Sequence, residues 1–217
     1  MNTQVINKNK TAFASIIAIA IVSLAISYVI TANQFVAEDG RSLETIKPRP
    51  TPPPIKLLLW GELTSSDIGK KQLGYDRLST PVNIPDGISL KATRVLTSED
   101  GTYRQLTEFY GPNSIDISDN VVLDDFLANG GLMILYIEDD LKKPFDWKSL
   151  GPEIVKRSPE TVELGKINEA DALMVKGDIT QKGRSEIQFD IGKTRVALIS
   201  NSYDVTELTP IAKSIRG

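Results

Sequence analysis

From residue 12 to residue 32 the chain runs AFASIIAIAIVSLAISYVITA, 21 positions without a charge. At ~1.5 Å per residue a helix of that length reaches roughly 31 Å, enough to cross the hydrocarbon core of a bilayer. Its polar members, Ser15, Ser23, Ser27, Tyr28 and Thr31, are tolerable there, because a Ser or Thr hydroxyl can bond back to the carbonyl one turn earlier. The run outlasts the ~7–15-residue apolar region of a cleavable signal peptide, and Ile30 and Phe35 spoil the nearest small-x-small cut sites. The pattern therefore predicts one retained transmembrane helix. A pilin-like leader, cut just ahead of an apolar assembly helix, is the alternative that Lys8 and Lys10 allow.

Beyond the span the apolar positions thin out. Residues 33–54 end in Pro48-Arg49-Pro50-Thr51-Pro52-Pro53-Pro54, a composition that favours an extended, stiff spacer at ~3.1 Å per residue. Apolar periodicity then resumes, and residues 55–217 are long enough to bury a core without disulfides or metals. Thr64-Ser65-Ser66-Asp67 is a helix start, hydroxyl caps followed by an acid, and Gly74 its stop. Residues 78–85 are a Pro-bounded extended stretch. Alternation at 89–97 and 103–110 predicts two strands joined through Asp100-Gly101 as an antiparallel hairpin. A short helix at 122–129, capped by Asp119 or Asn120, ends in Gly130-Gly131. The strand LMILYIE at 132–138 follows, apolar enough to be central in its sheet. Residues 139–156 read as a turn-rich stretch around Lys143-Pro144 and Leu150-Gly151-Pro152. A meander of three strands comes next, at 172–179, 186–191 and 194–199, with turns at Lys182-Gly183 and Gly192-Lys193. At 205–215, Leu208, Ile211, Ala212 and Ile215 fall at helical spacing, one apolar face to lie on a sheet.

Runs of strands with helices segregated to particular positions define an α+β fold. The expected architecture is an antiparallel sheet, hairpin plus C-terminal meander, with a few packed helices behind one N-terminal transmembrane helix. The domain organisation is residues 1–11 as a cytoplasmic tail, 12–32 as the span, 33–54 as the stalk and 55–217 as the extracytoplasmic domain. Orientation follows from the flanks: Lys8 and Lys10 precede the span with no acid beside them, whereas the far side opens with Glu38 and Asp39.

Composition narrows the chemistry. The chain has no Cys and no His, which removes disulfides, thiol nucleophiles, Cys/His zinc sites and His-based triads. Lys+Arg 25 against Asp+Glu 28 gives a net charge of −3, so no nucleic-acid partner is expected. Acids cluster at Asp116/Asp119, Asp124/Asp125 and Glu138-Asp139-Asp140. None has the alternating ligands, turn glycine and closing Glu of a calcium loop, and no metal or cofactor is expected. A carboxylate pair could in principle hydrolyse glycosides at ~5–9.5 Å separation, a distance only geometry can give. Ser66-Asp67-Ile68-Gly69 is not the Ser-x-x-Lys of a serine/lysine hydrolase. The aromatics Trp60, Tyr75, Tyr103, Phe109, Tyr110, Phe126, Tyr136 and Phe189 are expected to be core, and no individual catalytic or ligand-binding residue is singled out.

The order of segments is also familiar. A helix ends in Leu73-Gly74-Tyr75; TPVNIPDGISL follows at 80–90; a hairpin passes through LTEFYG at 106–111. A glycine-bounded strand, a meander and a closing ELTPIAKSI at 207–215 complete it. This layout, over roughly residues 65–215, resembles an uncharacterised domain-of-unknown-function family found outside the membrane in bacterial and archaeal proteins. Some of its members are described as similar to anti-sigma-factor regulators or lipoprotein-sorting carriers. The resemblance implies the fold and the location, with the 139–156 insert as a departure, and it carries no catalytic motif. The expected function is a non-enzymatic, membrane-anchored module in which the first helix meets the bilayer and the exterior domain binds a polypeptide or lipid-like ligand. A carboxylate-dependent surface hydrolase and a pilin-like subunit are the alternatives.

Overall fold

The computed structural model describes residues 60–115, 117, 118, 121–140, 147–181 and 183–217, with backbone alone at 147–150. The expected span, stalk and cytoplasmic tail lie outside the described residues. Among those described, no helix is long and apolar enough to cross a membrane.

The described chain forms an eight-stranded, wholly antiparallel sheet flanked by helices, which is the α+β architecture that the alternation of segments predicts. In chain order the elements are β1 (Glu62–Thr64), α1 (Ser66–Leu73), β2 (Ile88–Thr97), β3 (Tyr103–Pro112), α2 (Leu123–Ala128), β4 (Leu132–Asp139), α3 (Trp147–Arg157), β5 (Val162–Ile167), β6 (Ala170–Val175), a 3₁₀ turn (Ile179–Gln181), β7 (Ser185–Ile191), β8 (Thr194–Ser200) and α4 (Val205–Ser214). Spatial order is β1-β2-β3-β4-β8-β7-β6-β5. Two meanders therefore meet where β4 pairs β8, with Leu132 opposite Ser200 and Ile137 opposite Arg195. The apolar strand β4 lies at the middle of the sheet, where both its faces are covered.

Local chemistry sets the element ends. Ser65 accepts from the Ile68 N–H at the start of α1, and Gly74, at φ 73°, stops it in the left-handed region while its N–H reaches the Lys70 and Lys71 carbonyls. Between β2 and β3, Asp100 accepts from Ser98 Oγ at 2.5 Å, Thr102 Oγ1 at 2.8 Å and Thr102 N–H at 3.1 Å, next to Gly101 at φ 71°. α4 opens with a capping box in which Asp204 accepts from the Thr206 and Glu207 N–H groups and Glu207 reaches back to the Asp204 N–H.

Side-chain alternation divides the core in two. On one face α1 and α4 cover Leu106, Tyr110, Ile134, Tyr136, Ile187, Phe189, Val196 and Leu198. On the other, Trp60 and α2 cover Phe109, Met133, Leu135 and Ile199, while Ile154 and Val155 of α3 cover Val162 and Leu173. Phe109 is the hub of the second core, edge-on to Trp60 at 6.3 Å and to Phe126 at 5.8 Å between ring centroids. All eight aromatics expected in the core are buried.

Three expectations need correction. The stretch read as turn-rich carries α3, which runs through Gly151-Pro152. A strand that alternation failed to reveal, β5, closes one edge of the sheet, so the C-terminal meander has four strands. The strand expected at 172–179 is β6, Ala170–Val175. It stops where Gly177 packs so tightly on the backbone of Gly183 and Arg184 that a Cβ would lie 2.5 Å away, and where Asp178 accepts from the Thr180 N–H and Oγ1 in a local turn. The helix expected at 122–129 is α2, Leu123–Ala128, with Val122 as N-cap and Asn129 as C-cap; Asp119 and Asn120, expected to cap it, lie outside the described residues.

Candidate functional site

Where the chain leaves α4, residues 215–217 cross the ends of β5, β6 and β7 and leave a solvent-open cleft of about 350 Å³. Its walls are apolar: Ile167, Phe189 and Ile215 are buried, and Ala170 and Ile191 half-buried. Its rim is polar, carrying Asn168, Glu169, Asp190 and Arg216. Asp190 is spoken for by Arg195, whose Nε donates to it at 3.1 Å.

Two asparagines in the left-handed region hold this end of the molecule. Asn168 (φ 51°) sits in the β5–β6 turn and donates its amide to the Lys213 carbonyl at 3.2 Å; Asn83 (φ 61°) donates to the Pro210 carbonyl at 3.3 Å. Ser79 donates to the Ser214 carbonyl at 2.9 Å and accepts from the Arg216 N–H at 2.7 Å. The last carbonyls of a helix have no intrahelical donor, so the bonds to Lys213 and Ser214 satisfy the end of α4, and with the Asn83 bond they fix the direction in which residues 215–217 leave it. Asn is, after Gly, the residue that adopts this backbone most readily. The cleft wall is thus set by side chains from two separate segments, the β5–β6 turn and the α1–β2 connection.

Three buried carboxylates lie elsewhere, each with its own neutralising arrangement. Glu108 of β3, 0% exposed, accepts from Ser66 Oγ at 2.5 Å, Tyr110 Oη at 3.1 Å and Tyr136 Oη at 3.3 Å, and faces the Lys70 ammonium of α1 at 3.5 Å. Burial, together with the Glu108 charge, pushes the phenols of Tyr110 and Tyr136 up, so both remain protonated donors. Glu138 of β4 accepts from Thr194 Oγ1 at 2.5 Å and meets Arg77 at 2.7 Å, Arg104 at 2.9 Å and Lys193 at 3.2 Å. Burial works to raise its pKa, but the bonds from Thr194, Arg77 and Lys193 outweigh that and hold it below the usual carboxylate range. Glu186 of β7 takes the opposite course: fully buried, with the Gln188 amide as donor and Arg184 as the nearby charge, it is pushed up by desolvation to about 7.

These placements bear on the chemistry weighed from sequence. Strand alternation sends Asp139 to the face opposite Glu138, and Glu138 is already held by three cations, so the 138–140 run does not converge on a metal ion. Asp124 pairs with Arg184 at 3.0 Å, and Asp116 and Asp119 lie outside the described residues. Among the described residues no three carboxylates gather as metal ligands. Glu108 and Glu186 are on opposite faces of the sheet. Glu138 shares the Glu108 face, but Glu108 is opposite Ile134, four residues earlier on β4. At ~3.3 Å per residue that is ~13 Å along the strand, beyond the ~9.5 Å limit for two carboxylates acting on one glycosidic bond. Sequence reasoning named neither the cleft nor Glu108 and Glu186, and met Glu138 only within the acidic run 138–140. The one signal available was a charged or amide residue recurring at alternate positions of otherwise apolar strands, as Glu186 and Gln188 do in SEIQFDI.

The fold and cleft define a three-layered antiparallel α+β domain with a small apolar recess at one end. Compared with protein-family models, curated proteins and solved structures, the chain finds no match.

Proposed function

We propose that the chain is a membrane-anchored, extracytoplasmic module without catalytic activity, which binds a polypeptide or lipid-like partner by taking an apolar group of it into the cleft beside α4. The observation that carries this reading is the cleft itself: apolar walls, a polar rim, and a volume at the small end of the ~300–1,000 Å³ range of ligand sites. Such a recess suits one bulky side chain or the end of an acyl chain. The anchor rests on the uncharged run at 12–32, the orientation on Lys8 and Lys10, and the spacer on the prolines at 48–54. Glu108, Glu138 and Glu186 stand apart from one another, and the carboxylates that do come together, Glu138 and Asp140, share Arg104 and Lys193 as counter-ions, which suits an ion-pair network better than an acid/base pair.

Ala170→Trp tests the assignment, because an indole at that half-buried wall position, at the margin of the first core, occupies the recess. The full chain, isolated gently from its own membranes, should carry an added mass in native mass spectrometry that the variant lacks. The same mass on both proteins, or none on either, refutes the cleft as the binding site.

A further inference from the structure

We propose that α1 closes over an internal hydration site in which one ordered water joins the Lys70 ammonium to the Thr93 hydroxyl beside Glu108. This stands apart from the cleft and does not depend on its function. Lys70 is 5% exposed and Thr93 2%, and among the described residues neither Lys70 Nζ nor Thr93 Oγ1 has a hydrogen-bond partner. The register sets Thr93 directly opposite Glu108 on the face that α1 covers, so their Cβ atoms are ~4.5–5.5 Å apart. Lys70 reaches Glu108 from α1, its ammonium 3.5 Å from Glu108 Oε1 and 5.6 Å from the centre of the Tyr136 ring. An ammonium has three protons to place. The carboxylate at 3.5 Å and the ring face leave at least one of them without an acceptor.

The choice of guest follows from charge and space. Glu108 repels an anion and Lys70 repels a cation, so the guest is neutral. It must accept from an ammonium and also bond a hydroxyl. Space above is short, since a Cβ on Gly69 would already lie 2.6 Å from Leu106 Cδ1 and 3.0 Å from Thr64 Cγ2. Water alone meets all three conditions, and a buried water typically takes two to four polar partners.

Thr93→Val separates this site from an orphaned hydroxyl by sign. Valine matches threonine in shape and suits a strand at least as well. With water bonded to Thr93, removing the hydroxyl should raise the unfolding equilibrium constant of the full chain in urea about fivefold, the worth of one net hydrogen bond. Thr93→Ser should hold much closer to wild type in the same assay. Crystals of the full chain should show a density peak within hydrogen-bond reach of Lys70 Nζ and Thr93 Oγ1, lost in T93V. A T93V chain as stable as wild type or more so, or no peak at that position, overturns the proposal.

Discussion

Glu186→Gln offers a test in which the sequence itself removes the background. In the folded chain the Glu186 carboxyl titrates at about 7, against an ordinary value of 4.5, because burial between Val175 and Ile199 strips its charge of water. Between these two values the folded protein holds a proton there that the unfolded chain has released. Stability is therefore complete below about pH 4.5, falls as pH rises, and levels off above about pH 7. A shift of about 2.5 units at ~1.4 kcal/mol per unit makes the loss about 3 kcal/mol. Glutamine has the shape of the protonated acid and no proton to lose, so the variant should be flat across the window. The chain has no His and no Cys, Glu138, Asp100, Asp178 and Asp204 are shifted down, and the buried tyrosines up, so these groups titrate outside it. Urea unfolding followed by circular dichroism from about pH 4.5 to about pH 8 measures the difference directly. A wild-type profile with no decline, or the same decline in E186Q, would refute the account of Glu186 as a desolvated acid with a single amide donor.

Two further substitutions probe what surrounds the cleft and α1. Lys70→Met keeps the aliphatic stem but leaves Glu108 buried without its cation, and should cost about 3–5 kcal/mol in urea unfolding; the double variant with Glu108→Gln should recover a large part of that loss. Asn168→Ala forfeits the bond to the Lys213 carbonyl and puts at φ 51° a residue without asparagine's tolerance of the left-handed region, so thermal unfolding should show a loss of about 1–3 kcal/mol; Asn168→Gly, free of the backbone penalty, should lose less.

The parts of the fold legible in sequence are those whose signal is local. Ser65 and Gly74 bracket α1 by their own cap bonds, Asp100-Gly101 turns the hairpin through its own side chain, and Leu208, Ile211 and Ala212 mark the buried stripe of α4. The candidate sites have no such signal. Glu108 is an ordinary strand carboxylate until the register sets it opposite Ile134 and under Lys70, 38 positions earlier in the chain. The cleft is assembled from a turn, three strand ends and the residues after a helix, and Asn168 points to it only once its amide is seen on the Lys213 carbonyl.

The two elements that alternation and propensity missed are also each other's partners. α3 carries Gly151-Pro152, a pair that argues against a helix interior because proline lacks the N–H and glycine holds the helix weakly. β5 carries glycine and two charges within VELGKI and lies at the sheet edge, where Leu164 stays 41% exposed beside α3. Together the two sequences make sense. Gly151 is the point of closest approach, for a Cβ there would lie 2.7 Å from Leu164 Cδ2, and Ile154 and Val155 close the contact over Val162 and Leu173. Glu163 and Lys166, poor strand residues alone, pair with Lys176 and Asp171 flanking or on β6, at 2.6 and 3.2 Å. Each element takes its stability from the other, so neither can be read from its own residues. The same dependence makes this corner, rather than the central strands, the first place where the sheet should open, since its core is the smallest of the three.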